Sequence, residues 1–189
     1  MTFLPEDYEK NEKLNETSNR YMRFEQGENK FRVLGSAITG WEWWVTTKEG
    51  GRTPKRVKIN EKIDVSSIEE PESIKRFWAF PVWNYKIGKV QILEITQKGI
   101  QSIIRGLTSS EDWGSPLNYD LSVIRTGESL DTKYEVIPSP PRDVDDKILK
   151  EFKLTHINLN ALYDGDDPFK NEDEEAEAES IADDISANI

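Results

Sequence analysis

The chain has 189 residues, a formal net charge of −11 and no cysteine. This suits one domain with terminal appendages, and it excludes a disulfide framework, a thiolate zinc site and a cysteine nucleophile. No hydrophobic run approaches the roughly 18 residues that a membrane helix needs, and the polar N-terminus is unlike a signal peptide. We therefore expect a soluble cytoplasmic protein without membrane contact.

The negative charge is concentrated near the C-terminus. Residues 164–189 contain eleven acidic residues and one lysine, whereas residues 20–142 contain nineteen basic and sixteen acidic residues. Charge asymmetry between segments says more about partners than the net charge does. A polyanionic partner is therefore compatible with the mildly basic central region.

Regular structure is expected to begin after a polar N-terminal arm, residues 1–19. One long strand, bent at its glycines, is predicted over residues 30–46. The polar residues 47–75 follow as a long loop, with room for a small hairpin around Arg56–Ile59. Loops of this length in a compact domain are usually functional or disordered.

Four further strands and one helix are predicted downstream. Apolar residues at i, i+3, i+4 and i+7 indicate the helix, and alternation indicates the strands. Their ranges are 77–85, 90–95, 119–126 and 133–138 for the strands and 100–107 for the helix.

This order of elements is typical of a five-stranded oligonucleotide-binding (OB) barrel, with a short helix between strands 3 and 4. In that fold, ligands bind over strands 2 and 3 and between the loops predicted here at 47–75 and 126–132. A β-sandwich remains an alternative, although it normally has about seven strands. The predicted OB domain covers residues 20–142. An amphipathic connector over 143–163 and an acidic, disordered tail over 164–189 follow it.

Eight aromatic residues cluster in two stretches, WEWW at 41–44 and RFWAFPVWNY at 76–85. Each aromatic side chain buries about 150–250 Å², so a small barrel cannot enclose all of them. If one face of each strand fills the barrel, the other face displays rings to solvent, as binding sites do. Alternation places Phe77, Ala79, Pro81, Trp83 and Tyr85 on one face, and Trp78, Phe80, Val82 and Asn84 on the other.

Single-stranded nucleic acid is a ligand that uses exposed rings beside positive charge, because bases stack on the rings while cations follow the phosphates. Residues 48–62 carry six basic and two acidic residues, next to the aromatic stretches. A bulge at Pro81 would invert the two faces, so periodicity alone leaves the outward face open. The predicted contact residues are Arg32, Trp41, Trp43, Trp44, Lys48, Arg52, Lys55, Arg56, Lys58, Arg76, Trp78, Phe80, Trp83 and Tyr85.

Three motifs also carry a family resemblance: GENKFRVLGSAITGWEWW, FWAFPVWNYKIGKVQILEITQKGIQSII and YDLSVIRTGESLDTKYEVIPSPP. Over about residues 20–142 the chain resembles the single-stranded DNA-binding proteins of tailed bacteriophages. The resemblance implies an OB fold, sequence-tolerant binding of single-stranded DNA, and work in phage replication or recombination in the host cytoplasm. A zinc site of the kind found in some relatives is not implied, since the chain has no cysteine and one histidine.

Such proteins commonly end in an acidic tail that recruits replication enzymes, often with a terminal Pro-Phe. The stretch DGDDPF is similar in composition, but twenty residues follow it. The strip that contains it could dock in a partner's groove or pack back on the barrel, and both interpretations stay open. The predicted partner-binding residues are Ile157, Leu159, Leu162, Asp164, Asp166, Asp167 and Phe169.

Other functions compete with DNA binding. The aromatic residues could form a subunit interface in a protein-interaction module of a replication complex, which would make the chain a homo-oligomer. A metal-dependent nuclease needs a carboxylate cluster, and Asp120, Asp131 and Glu94 match no such motif. RNA could replace DNA, because stacking does not distinguish them. We expect no cofactor, no metal and no catalytic residue.

Overall fold

The computed structural model describes residues 19–170. No helix in this range is both long and apolar enough to span a membrane. The regular elements of this range are β1 (Tyr21–Met22), β2 (Gly27–Val33), β3 (Ile38–Thr46), β4 (Arg52–Lys58), β5 (Lys75–Asn84), β6 (Lys89–Ile95), α1 (Lys98–Thr108), β7 (Asp120–Thr126), β8 (Lys133–Pro138), α2 (Asp146–Leu154) and α3 (Ala161–Asp164).

The strands form one mixed sheet in the order β1-β6-β5-β2-β7-β8, and β3 and β4 extend it from β5. All pairs are antiparallel except β1 with β6. The prediction of a mainly β fold is confirmed. Five strands were too few, because the described residues form eight, and hydrogen bonds do not close this sheet into a barrel. Residues Tyr21–Phe24 and Tyr134 line the space beside β6 where closure would occur.

The single bent strand predicted over 30–46 is two strands, β2 and β3, which lie end to end along one edge of β5. Leu34–Ala37 separate them, opposite Phe80 and Pro81. Proline has no N–H to donate to a ladder, so the ladder is weakest at this point. The Pro81 carbonyl still accepts a hydrogen bond from Leu34 N at 2.9 Å. The four residues of the break lie opposite two residues of β5. Because the difference is an even number, the alternation of side chains between the two faces of the sheet continues unchanged from β2 into β3.

The predicted loop 47–75 contains a strand, β4, which pairs with β3 along its whole length. Pro54 is tolerated in β4 because this strand pairs on one side only. Gly40 in β3 is required by close packing, since a Cβ at this position would clash with the Val57 carbonyl and the Phe77 ring. The hairpin therefore lengthens the sheet beyond the five predicted strands.

Helix α1 has the apolar face that its sequence predicts, with Ile100 and Ile104 buried. Gln101 is also buried, and its amide nitrogen donates to the carbonyls of Ile95 at 2.7 Å and Arg76 at 2.9 Å. Buried polar groups need such partners. These two hydrogen bonds fix the start of the helix against the first residues of β5 and the last residue of β6.

The two sides of the sheet bury different hydrophobic clusters. We call the side that faces α1 the inner face. Its large cluster joins side chains from β2, β5, β6, β7, β8 and α1. Among its members are Phe31, Phe80, Leu93, Ile95, Ile104, Leu121 and Val123.

The opposite side, the outer face, is covered by residues 143–170, which we call the C-terminal segment. Ile148 of α2 packs with Trp83 and Val90, and Leu162 of α3 packs with Phe77 and Ile92. Both faces of β5 are apolar because both are covered. The outer face of β5 therefore does not display its rings to solvent, since Phe77 is 0 % and Trp83 is 7 % exposed.

A buried ion pair joins the outer face to the start of the C-terminal segment. Asp120 and Arg32 are 0 % and 1 % exposed, and Arg32 Nε donates to Asp120 Oδ1 at 2.7 Å. Tyr85 and Arg142 donate to the same carboxylate. Burial alone would raise the pKa of Asp120. Hydrogen bonds from Arg32 and Tyr85, with the charges of Arg32 and Arg142, outweigh burial and hold that pKa below its usual value.

Candidate nucleic-acid interface

A row of aromatic and basic side chains lies on the inner face where β3 runs between β4 and β5. In the register of the sheet, Trp43 is opposite Lys55, Trp41 is opposite Arg76, and Trp78 is opposite Thr39. Directly opposed residues of antiparallel strands project to the same side, with Cβ atoms about 4.5–5.5 Å apart. We call Trp41, Trp43, Lys55, Arg76 and Trp78 the aromatic strip.

The two cations of the aromatic strip lie over its rings. The Arg76 guanidinium carbon is 5.2 Å from the centroid of the Trp41 ring, and Lys55 Nζ is 5.9 Å from that of Trp43. Both are exposed, and within residues 19–170 neither forms a salt bridge. An anion arriving at the strip therefore displaces water rather than a carboxylate.

The rings of the aromatic strip differ in how much surface they offer. Trp41 and Trp78 are half-buried, so each keeps an accessible part. Trp43 is only 5 % exposed, and Phe80 is 4 % exposed within the large inner cluster. Trp41 and Trp78 can act as stacking platforms, whereas Trp43 and Phe80 offer almost no surface, and Trp78 packs against the cluster that contains Phe80.

The remaining predicted aromatic residues point the other way. Trp44 follows Trp43 in β3 and is 44 % exposed on the outer face. Trp83 is covered by α2. Tyr85 is half-buried, and its hydroxyl donates to Asp120 at 3.0 Å. Burial, followed by this hydrogen bond, raises the pKa of Tyr85.

Two predicted phosphate-binding cations, Arg32 and Arg56, are engaged inside the protein, and a third, Lys58, is exposed on the outer face. Arg32 is buried on Asp120. Arg56 donates to Glu42 and Glu94, at 2.8 Å each, and its side chain is 9 % exposed. Lys58 lies over the Tyr163 ring of the C-terminal segment at 5.7 Å. We leave these residues out of the contact set proposed below.

The ion pairs of Arg56 form a compact cluster on the outer face. Burial raises the pKa of Glu94, and the nearby Glu42 carboxylate raises it further, while the Arg56 charge opposes both. Removing Arg56 would leave two carboxylates without their cation. The residue thus holds β3, β4 and β6 together, which is a structural role.

Two predicted cations, Lys48 and Arg52, lie at the turn that joins β3 to β4. Both are exposed. Arg52 donates to Glu70 at 3.0 Å, and the two side chains are about half exposed, so this pair is weak. These residues can add phosphate contacts beyond the aromatic strip.

The apolar members of the predicted partner-binding set pack within the chain. Ile157, Leu159, Leu162 and Phe169 belong to the cluster that covers Phe77 and Ile92. Arg20 pairs with Asp167 at 2.8 Å, and its guanidinium lies 5.2 Å from the Phe169 ring centroid. The structure therefore shows the intramolecular alternative for this strip, and Asp164 and Asp166 are exposed beside it. The rest of the predicted tail and most of the predicted arm lie outside the described residues.

Residues 19–170 contain no group of three or more His, Cys, Asp or Glu side chains placed to hold a metal ion. Asp120 is held by cations, and Glu94 by Arg56. Sequence reasoning missed Ser36, Ala37 and Thr39, which line a cleft beside Trp78. Only Thr39 had a signal, because it shares the alternation of Trp41 and Trp43.

Comparison with known proteins gives one line of support. The chain is similar to a probable ssDNA-binding protein of Escherichia phage T5, with 23 % identity over 141 residues, covering 61 % of this chain and 53 % of the relative. The chain thus matches about half the length of that relative. No protein-family model matches the sequence, and no solved structure matches it. At this identity the similarity suggests a relationship to ssDNA-binding proteins.

Proposed function

We propose that the protein binds single-stranded DNA without sequence preference, and that the aromatic strip is where the strand lies. The observation that carries the proposal is the pairing of accessible Trp41 with Arg76, and of Trp43 with Lys55, on one face of the adjacent strands β4, β3 and β5. Stacking platforms beside unpaired cations are what single strands require. The relative named as a probable ssDNA-binding protein supports the same ligand.

The strand pairing also supports an OB-like architecture. If β2 and β3 count as one strand, they pair with β5 and β7, β5 pairs with β6, and β7 pairs with β8. A helix lies between β6 and β7. These features fit the layout predicted for an OB barrel, with β1 added at β6 and β4 added at β3. Of the two strands over which OB proteins bind ligands, here β5 and β6, the proposed binding surface uses β5, and it adds β3 and β4.

In this proposal the protein performs no chemistry. It covers a single strand, prevents hairpins and nuclease attack, and passes the strand to other enzymes of replication or recombination. The chain's relative is a phage protein, and the proposed location is the cytoplasm of the infected host. Residues 171–189, with eight acidic and no basic residues, would regulate binding or recruit partners.

A tryptophan-fluorescence titration with oligo-dT tests the proposal. We expect strong quenching by the single strand and little response to a matching duplex. If Lys55 and Arg76 each neutralise one phosphate, a plot of the logarithm of the binding constant against the logarithm of salt concentration should have a slope of about −1.4 or steeper. Absence of quenching at low salt, together with salt-insensitive self-association, would instead favour a protein-interaction module.

Removal of residues 171–189 should tighten binding at low salt by roughly 3- to 10-fold, because this acidic stretch would compete with DNA for the cations of the strip. Truncation after Lys170 leaves every described contact of Leu162 and Phe169 in place. The difference should disappear near 0.5 M salt, where charges are screened. Fluorescence anisotropy of labelled oligo-dT measures both affinities.

A full-length variant with the eight acidic residues changed to Asn or Gln is the matched control. It should bind as the truncated chain does, since charge and not length is responsible. Equal affinity of wild type and both variants at low salt would show that the tail does not reach the strip.

A further inference from the structure

A cleft of about 310 Å³ continues the aromatic strip along the inner face. Trp78, the last residue of the strip, and its cross-strand neighbour Thr39 line the cleft, together with Ile104 of α1 and Leu117. Ser36 and Ala37, from the break between β2 and β3, complete its mouth. Ligand pockets usually measure about 300–1,000 Å³, so this cleft suits one small planar group.

The cleft is apolar except for a few hydroxyl groups. Thr108 Oγ1 is satisfied by the Ile104 carbonyl at 2.9 Å, and Ser115 Oγ accepts from Leu117 N. The hydroxyls of Ser36 and Thr39 have no hydrogen-bond partner among residues 19–170. A hydroxyl both donates and accepts, so these two can satisfy the edge of any base.

The spacing along β3 explains why a base would enter the cleft. Thr39 and Trp41 are two residues apart, which is about 6.7 Å along a strand. Stacked bases are separated by about 3.4 Å. A nucleic-acid strand that follows β3 from Trp41 towards Thr39 is therefore stretched, its bases are unstacked, and each needs an apolar surface of its own.

We propose that this cleft is a pocket for one unstacked nucleobase of the bound strand. The proposal rests on the proposed function and deepens it. The base inserts against Trp78 with its edge towards Thr39 and Ser36, the neighbouring base stacks on Trp41, and Arg76 neutralises the phosphate between them. The pocket accepts all four bases, since its walls are apolar and its two hydroxyls are adaptable.

The test uses the full-length ¹⁵N-labelled protein and the trinucleotide d(TTT). We expect the amides of Ser36, Ala37 and Thr39 and the Trp78 indole to shift together with the Trp41 indole. In Ala37→Phe, a ring at the exposed mouth blocks the cleft, so the cleft shifts should fall at least fivefold while the Trp41 shift remains. Ser102→Phe, which adds the same ring on the exposed side of α1, is the matched control and should behave as wild type.

The outcomes separate the pocket from the function. Shifts at Trp41 without shifts at the cleft in wild type would overturn the pocket and leave DNA binding standing. Equal cleft shifts in Ala37→Phe and Ser102→Phe would also overturn it. No shift with d(TTT) and no quenching with oligo-dT would remove both proposals. The wild-type map decides the matter alone if Ala37→Phe does not fold.

Discussion

Trp41→Ala should weaken binding of oligo-dT by roughly 5- to 150-fold, because one stacking platform is worth about 1–3 kcal/mol per base. Trp41 is half-buried and lies outside the three hydrophobic clusters of the described residues. The loss should therefore appear in affinity with little change in the urea unfolding midpoint. Fluorescence anisotropy of a labelled oligonucleotide at fixed salt measures the affinity.

Trp44→Ala is the matched control for this experiment. The two tryptophans are three residues apart in the same strand, and Trp44 is 44 % exposed on the outer face. If the strand lies on the aromatic strip, Trp44→Ala binds within about twofold of wild type. A larger loss for Trp44→Ala than for Trp41→Ala would place the binding surface on the outer face and would remove the strip from the proposal.

Local sequence signals predicted β5, β6 and α1 well because these elements depend on neighbouring residues. Alternation with turn residues indicated β5 and β6 to within two residues, and the spacing of Ile100, Ile103, Ile104 and Leu107 indicated α1. The break between β2 and β3 was less accessible. It depends on Pro81, about 45 residues further on, which lies against the break across the sheet.

The site was harder to predict because it depends on which side of each strand is covered. Alternation correctly separated Trp78 from Trp83, but it could not say that Ile148 and Phe152 would cover the Trp83 side. An apolar residue on both faces of a strand has two explanations, burial on both sides or a displayed patch. For β5 the explanation is burial on both sides, and the residues that cover its outer face are sixty or more positions further along the chain.

It was equally difficult to predict which basic residues remain available to bind phosphate. Arg56 and Lys55 are adjacent in sequence and equally basic, yet alternation in β4 sends Arg56 to Glu42 and Glu94 and leaves Lys55 over Trp43. Counting charge in the loop cannot distinguish them. The register in which β4 pairs with β3 distinguishes them. The sequence indicated only that a small hairpin could form in this loop.

Asp120→Asn should lower the free energy of unfolding at pH 7 by about 3–5 kcal/mol, because it leaves the buried Arg32 guanidinium without its counter-charge. The effect of Asp120→Asn on stability should depend on pH.

The folded-state pKa of Asp120 lies below its usual value. The charged carboxylate therefore stabilises the fold above the unfolded-state pKa, about 3.9, and this contribution is lost as pH falls through the folded-state pKa. Urea denaturation of wild type and variant between pH 7 and pH 3 measures the difference, which should narrow below pH 4.

Asp131→Asn is the matched control, since Asp131 is exposed and should change stability by less than 0.5 kcal/mol. A loss below about 1 kcal/mol for Asp120→Asn, or a difference independent of pH, would contradict the assigned role of the carboxylate.

The ion pair between Asp120 and Arg32 also bears on the proposed base pocket. Arg32 Nη1 donates to the carbonyls of Leu117 at 3.2 Å and Arg142 at 3.0 Å. Asp120 thereby orients the residue that holds one wall of the cleft and the start of the C-terminal segment. The same buried charge stabilises the fold and positions a surface on which the proposed function depends.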